Sequence, residues 1–377
     1  MKIVVNTRHI TPQGYDGIGR FTFEIFKRLA LQQPQHEFVF LFDRPFDKKY
    51  ITASNITGKV LFPPTKHAWL IKCWYQLSLT WFLKRNKADI FVSTDGLLSN
   101  YTHTPQLAVI HDLNFIHVPD LKSSYTQFFK KFYAQSASKA ARIATVSQFS
   151  KQDIAGNYHV PLSKIDVVYN AAADFYKPLP LHTQQEIRNQ YTSGKPYFIF
   201  VGSLHQRKNI IRILQAFEAL SSEQNQFHLV IAGNLRWASQ DINKAYEAMQ
   251  HKNKVVFTNR ISDTQLHQLL ASAKALVYPS LFEGFGIPII EAFACHVPVI
   301  AGNNSAMPEI AGNAALLVDA NCTEAIKNAM AQIVTQPDIC SNLIESGKIR
   351  VQYFNWDKSA SAMWQSILNT ISQTNNA

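Results

Sequence analysis

The feature that most restricts the fold of this chain is an alternation. Short apolar runs of the kind that make buried strands recur almost throughout, each followed by a helical pattern. In the first half the runs are "KIVV", "EFVFLF", "ADIFVS", "QLAVIH" and "ARIATVS", with helical stretches such as "FTFEIFKRLALQ" between them. In the second half "PYFIFVG", "FHLVIAG", "KVVFTN", "ALVYPS" and "PVIAG" alternate with "NIIRILQAFEAL", "DTQLHQLLASA" and "IPIIEAFA". Parallel strands need a crossover between them, usually a helix, so the pattern predicts parallel sheets built from βαβ units. It predicts them twice, as two doubly wound α/β domains.

The length, 377 residues, exceeds one ordinary core and suits two. Between the halves "YKPLPLHTQQE" (176 to 186) has two prolines and no hydrophobic period. The expected division is therefore 1–176 for the first domain, 177–186 for a linker, 187–355 for the second domain, and 356–377 for a C-terminal helix returning toward the first. Ligands of doubly wound sheets bind beyond the carboxyl ends of the strands, so two facing sheets would share one cleft.

The four cysteines, Cys73, Cys295, Cys322 and Cys340, make no C-x-x-C pair and no zinc-like spacing. Reduced thiols in a cytoplasmic protein are the simplest expectation. The opening "MKIVVNTRH" lacks the apolar core of a signal peptide, and no run approaches the roughly 18 apolar residues of a spanning helix. A soluble or peripheral protein is expected. The formal charge of +11 is uneven: residues 1–190 hold 23 Lys and Arg against 13 Asp and Glu, whereas the remainder is nearly balanced. Only the first half should seek an anionic partner. Nucleic acid is not the expected one, because no nucleic-acid-binding motif accompanies the charge.

Four segments could carry chemistry. "GYDGIGRF" (14 to 21) follows the first strand and opens a helix; Gly17 and Gly19 permit a tight turn at which helix N–H groups could meet a phosphate. It fails as a dinucleotide fingerprint, since position 22 is Thr, and an ordinary strand-to-helix turn fits equally. In "VIHDLNFIHVPD" (109 to 120), His111 and Asp112 stand just past a strand end, where a His could donate to a hydroxyl, carry a proton or simply satisfy backbone groups. There is no H-E-x-x-H and no D-x-D, so a metal clamp on a diphosphate has no obvious ligands.

In "FVGSLHQRKNIIRILQAF" (200 to 217) a strand ends at Gly202, and Arg207 and Lys208 precede a helix beginning near Asn209. Two cations and a helix N-terminus at a strand's carboxyl end concentrate positive potential where a diphosphate could sit. In "YPSLFEGFGIPIIEAF" (278 to 293) Glu283 falls in a glycine loop and Glu291 in the helix after it, whose first turn holds Pro288. Gly284 and Gly286 leave room for close backbone approach, and a carboxylate beside them could bind paired sugar hydroxyls, although Glu283 could also cap the helix.

Taken in order, these pieces resemble the retaining GT-B glycosyltransferases of the large family called family four or group one. "DGIGRFTFEIFKRL" looks like its N-terminal glycine turn, "VIHDL" its His-Asp strand end, and "TVSQFSKQDI" with "IDVVYNAAAD" its approach to the linker. "FVGSLHQRKN" resembles its Arg-Lys loop and "EGFGIPIIE" its Glu-x7-Glu motif. "PVIAGNNSAMPEIAGNAALLVD" and "RVQYFNWDKSASAMW" look like its closing elements, so the likeness covers almost the whole chain. One departure is Asp16, which stands where the family often has another glycine.

The resemblance implies two Rossmann-like domains and transfer of a sugar from a nucleotide diphosphate sugar, with retention and with neither metal nor cofactor. Carried over, Arg207 and Lys208 would neutralise the diphosphate, with N–H groups near Gly17 assisting and Gly202 also in the donor site. Glu283 and the amides of Gly284, Phe285 and Gly286 would hold the sugar, Glu291 the ribose, and His111 would touch the sugar near the reacting centre. Arg260 and Ile261 would lie near the base. Front-face attack and a covalent double displacement both remain open. GDP-mannose is the favoured donor, with a UDP-sugar as the alternative and a sugar-nucleotide epimerase of the same architecture as a further rival.

Two basic, aromatic stretches, 66–87 and 122–142, suit an anionic membrane surface, or else are core helices with solvated basic edges. In the family resembled the N-terminal domain usually holds the acceptor, so the resemblance, with these stretches, implies a glycan acceptor, lipid-linked at the inner face of a bacterial cytoplasmic membrane during surface polysaccharide synthesis such as that of lipopolysaccharide.

Overall fold

The computed structural model describes the chain except for residues 13, 119–123, 225, 234–239 and 376–377. It divides into two compact units, Met1–Asn170 with Asn355–Ala377, and Ala171–Phe354.

In the first unit the strands are β1 (Lys2–Asn6), the short β2 (Ile10–Thr11) and β3 (Gly14–Tyr15), β4 (Glu37–Phe42), β5 (Ile56–Val60), β6 (Ile90–Ser93), β7 (Gln106–Val109), β8 (Arg142–Thr145) and β9 (Ile165–Val167). β2 and β3 pair as a small antiparallel hairpin. The other seven form one parallel sheet in the order β5-β4-β1-β6-β7-β8-β9. The second unit holds β10 (Tyr197–Val201), β11 (His228–Ala232), β12 (Val255–Phe257), β13 (Ala275–Tyr278), β14 (Val299–Gly302) and β15 (Ala315–Val318), parallel in the order β12-β11-β10-β13-β14-β15. Each order reverses beside the unit's first strand, between β1 and β6 and between β10 and β13. Those reversals are the switch points at which doubly wound sheets open a crevice.

All ten apolar runs are strands, because β6, β7, β8, β10, β13 and β14 are buried along their whole length. In the two parallel sheets the runs did not reveal β5, β9 and β15, which all lie at sheet edges and are only partly buried. Helices are legible for a different reason. The helix Ile210–Glu223 buries Ile213, Leu214, Phe217 and Leu220, the three- and four-residue spacing of one face.

Two boundaries differ from the sequence reading. The helix Leu181–Thr192 begins inside the 177–186 stretch expected to be a linker; only Ile187 and Thr192 of it are buried, so no apolar period marks it. Residues 171–176 belong with the second unit, where the Tyr176 ring lies edge-on to His267 and His267 Nε2 donates to the Lys177 carbonyl at 2.7 Å. The last helix, Trp356–Asn375, packs on the helix Gly17–Gln32 of the first unit. It is tied there by Ser359 Oγ donating to the Tyr169 carbonyl (2.6 Å) and Ser366 Oγ to Asp166 (2.7 Å).

Candidate active site

In the second unit the Arg-Lys loop and the first glutamate meet at the switch point. β10 leads through Gly202 into a 3-10 turn, Gln206–Lys208, and Asn209 then adopts a left-handed conformation (φ 62°) that starts the helix Ile210–Glu223. Asn209 is fixed by its side chain, whose Nδ2 donates to the carbonyls of Pro279 (2.9 Å) and Ala320 (2.6 Å). The Arg207 carbonyl accepts from the Leu281 N–H at 2.7 Å. The loop after β10 is thereby stitched to the loop after β13.

That stitching brings charge together. Lys208 Nζ donates to Glu283 Oε1 at 2.6 Å, and Arg207 Nη1 lies 2.9 Å from the same oxygen. Arg207 Nη1 also donates to the Phe282 carbonyl (3.0 Å), and Lys208 Nζ donates to Tyr278 Oη (2.5 Å) while lying over that ring. The Glu283 backbone is held independently, its N–H by Ser305 Oγ at 3.0 Å and its carbonyl by the Ala306 N–H at 3.2 Å. Lys208 and Glu283 are each only 6% exposed. Burial alone would raise the Glu283 carboxyl, but Arg207 and Lys208 outweigh it and hold it down at about 2. Burial, with Glu283 nearby, pushes the Tyr278 phenol well up.

The side chains here carry two positive charges against one negative, beside the helix beginning at Ile210. Glu291 is buried in the helix Ile287–Ala294, eight positions beyond Glu283. Gly286 caps that helix at φ 93°, a conformation that disfavours any residue with a Cβ, and Pro288 sits in its first turn. The cap position of that helix is Gly286, not Glu283. Arg260 and Ile261 follow β12, two strands from β10 and so about 10 Å along the same carboxyl edge.

In the first unit His111 follows β7, and its Nε2 lies 3.0 Å from the Thr94 carbonyl, with Phe21 edge-on at 4.9 Å. A carbonyl only accepts, so Nε2 carries the hydrogen and Nδ1 presents a lone pair. Burial pushes the His111 pKa down, which keeps the ring neutral and Nδ1 an acceptor. Asp112 is not its partner: its Oδ1 accepts from the Asn114 N–H (3.0 Å) and side-chain amide (2.6 Å), closing a turn. His117 pairs with Asp153 at 2.7 Å. Among the described residues no group of three His, Cys, Asp or Glu side chains could hold a metal ion.

Residues 15–172 match the family described as Glycosyltransferase Family 4, and residues 183–350 match Glycosyl transferases group 1. An O-antigen chain mannosyltransferase, RfbU of Salmonella typhimurium, is 30% identical over 274 residues, 71% of each chain. The chain belongs to this glycosyltransferase family. The transferase is also 27% identical to the O-antigen chain mannosyltransferase B of Escherichia coli over 373 residues, covering 95% of this chain and 97% of that one. Its GT-B fold is shared with the Anabaena protein HepE, solved in complex with UDP-glucose (TM-score 0.77, 15% identity, 97% of this chain and 99% of that one).

The transferase has a further polar cluster outside its sequence motifs. At the carboxyl ends of β1 and β6, Arg8 forms an ion pair with Asp95, both side chains less than a tenth exposed. Tyr75 Oη donates to the other Asp95 oxygen at 2.5 Å and accepts from Asn6 Nδ2 at 2.8 Å. A signal was present: "NTRH" and "STDG" each put a charge directly after an apolar strand, on either side of the switch point.

Proposed function

We propose that the transferase moves mannose from GDP-mannose to a glycan, with retention at the anomeric carbon and without a metal, in the synthesis of a bacterial surface polysaccharide. The observation that carries this reading is the Arg207–Lys208–Glu283 cluster at the β10–β13 switch point, joined to a family whose similar members are described as O-antigen mannosyltransferases. Departure of the nucleoside diphosphate builds negative charge on its bridging oxygen. Fixed cations and a helix N-terminus stabilise that charge without reorganising.

In the donor complex Arg207 and Lys208 turn to the diphosphate, and Glu283 accepts from the hydroxyls of the sugar, with the amides of Gly284, Phe285 and Gly286 beside it. Glu291 accepts from the ribose, and Arg260 and Ile261 flank the base, following the strand order from β13 to β12. His111 Nδ1 accepts from a sugar hydroxyl. The leaving phosphate takes the acceptor's proton as the new bond forms on the face it vacates, so no protein nucleophile is needed. The test is incubation with GDP-mannose, a mannose-terminated disaccharide and a chelator, reading the product's anomeric configuration by NMR. An α-linked mannoside supports the reading. A β-linked product, or none with chelator but transfer with Mg²⁺, contradicts it. HepE's UDP-glucose complex favours a UDP-sugar as the second reading, tested by substituting UDP-glucose.

Peripheral contact with the inner face of the membrane is part of the proposal. Among the described residues no helix is long and apolar enough to cross a membrane. Over residues 68–85 the chain is helical, with a π turn at Trp74–Leu79; Ile71, Trp74, Tyr75, Leu79 and Leu83 are buried, whereas Trp69, Leu77 and Trp81 are exposed. Lys72, Lys84 and Arg85 are exposed on the same stretch. The buried residues make the core, and the exposed rings and cations support the membrane reading. A pocket of about 250 Å³ lined by Lys72, Tyr101, Phe128 and Lys131 joins this stretch to the helix Ser124–Lys139; residues 122–123 of the second basic segment lie outside the described residues. Rings at the boundary and cations at head groups attract anionic bilayers, at about 1 kcal/mol per cation. The transferase is expected to float with vesicles containing phosphatidylglycerol, and Trp69→Ala/Trp81→Ala with Lys72→Glu to lose that binding. Equal recovery of wild type and variant would remove the membrane contact from the account.

A further inference from the structure

The buried hydroxyl beside Lys208 belongs to the sheet, whereas Lys208 and Glu283 belong to loops. Tyr278 is the last residue of β13, a strand buried along its whole length and paired with β10 on one side and β14 on the other. It is 1% exposed, and its ring stacks on Phe200 of β10, with centroids 6.0 Å apart and planes 17° from parallel. Gly202 keeps space beside this ring pair: a Cβ there would stand 3.3 Å from Phe200 Cζ and 3.7 Å from Lys208 Cε, at a φ of 149° that favours glycine in any case. The Tyr278 oxygen is therefore fixed by packing on a rigid element.

Lys208 Nζ reaches two oxygens of different charge, Glu283 Oε1 at 2.6 Å and Tyr278 Oη at 2.5 Å. Burial, and then the nearby Glu283 charge, push the phenol well up, so it keeps its proton and Oη is a neutral acceptor. The two partners differ in consequence. A carboxylate offsets the ammonium's charge toward anything else, while a phenol oxygen directs the ammonium and leaves its charge intact. An ammonium carries three hydrogens in a fixed tetrahedron, so holding two of them sets the direction of the third. The rest of Lys208 is a flexible four-carbon stem, which on its own fixes nothing. Its backbone is tied to the same strand end, because Asn209 Nδ2 donates to the carbonyl of Pro279, the residue after Tyr278.

We propose that Tyr278 is a positioning residue for sugar transfer: its hydroxyl holds the Lys208 ammonium toward the diphosphate and keeps hold of it when Glu283 gives its oxygens to the donor sugar. This rests on the transferase reading, in which Lys208 meets the leaving diphosphate and Glu283 the sugar hydroxyls. Tyr278 itself touches neither. Its contribution passes through Lys208, which makes the two residues one unit in the kinetics.

The test is a double-mutant cycle of Tyr278→Phe and Lys208→Met, with GDP-mannose or UDP-glucose as donor and a fluorescently tagged mannose-terminated disaccharide as acceptor. Phe keeps the ring and its stack on Phe200 and removes only the hydroxyl, so the melting curve is expected to stay near that of wild type. With Lys208 present, Tyr278→Phe should lower kcat about tenfold or more, the loss of a hydrogen bond to a charged group, and move the donor KM far less. In the Lys208→Met background the same substitution should change kcat by less than about twofold, because residues that act as a unit are not additive. An equal fall in both backgrounds, or a kcat that Tyr278→Phe leaves unchanged, would overturn the proposal. Should Tyr278→Phe fail to fold, 3-fluorotyrosine at position 278 keeps the hydroxyl but weakens its oxygen as an acceptor; a lowered kcat that disappears in Lys208→Met supports the proposal, and an unchanged kcat overturns it. A wild-type protein that neither hydrolyses nor transfers from either nucleotide sugar would sink the transferase reading itself, a result distinct from the comparison of the two backgrounds.

Discussion

Replacing Lys208 with methionine is expected to lower kcat/KM for sugar transfer roughly a hundred- to a thousandfold, the cost of deleting one preorganised group at a site of developing charge. Lys208 is buried, donates to Glu283 and Tyr278, and cannot be replaced by solvent. Its interaction with the diphosphate strengthens as the glycosidic bond breaks, so most of the loss should fall on kcat and a smaller part on the donor KM. Arg207→Ala removes the more exposed partner and should weaken ground-state donor binding more. A Lys208→Met enzyme whose melting temperature falls while its kcat/KM stays near wild type would make Lys208 a structural group only.

The second large effect is expected at Glu283. Glu283→Gln leaves Arg207 and Lys208 facing an uncharged amide, and unpairing a buried charge costs about 3–5 kcal/mol. The same site sets an acid limit on stability. The carboxyl is lowered from its ordinary 4.5 to about 2 in the folded chain, so the unfolded state binds the proton more readily. Its stabilisation is therefore complete above about pH 4.5 and is lost as pH falls toward 2. At about 1.4 kcal/mol per pKa unit the loss is about 3 kcal/mol. Thermal melts of wild type from pH 7 to 3 should show this decline in the second unit, and Glu283→Gln should start lower and decline less. Identical pH slopes for the two proteins would contradict the ion-pair account.

Much of this architecture was legible because burial on both faces of a central strand leaves an unbroken apolar run. Edge strands such as Ile56–Val60 carry half-exposed residues and gave no such run. The donor-side cluster was legible for a related reason: Arg207, Lys208 and Glu283 sit in the loops that follow buried strands, Glu283 beside Gly284. That the three pair with one another was not legible, because it depends on Asn209 bridging Pro279 and Ala320, residues 70 and 111 positions away. Asp112 misled for the opposite reason. It stands beside His111 in sequence, yet a local hydrogen bond to Asn114 satisfies it. Asp16 stood out as a departure from a family pattern, but its bond to His9, seven residues back, emerges only once the β2–β3 hairpin folds the segment over.

The central claim is that the second unit holds a nucleoside diphosphate through Arg207 and Lys208 without a metal. The most direct measurement is isothermal titration of the protein with GDP, and with UDP in parallel, each in excess chelator, for wild type and Arg207→Ala. The account predicts saturable GDP binding in chelator that Arg207→Ala weakens at least tenfold, with UDP weaker. Binding that needs an added divalent ion, or that Arg207→Ala leaves intact, would contradict it.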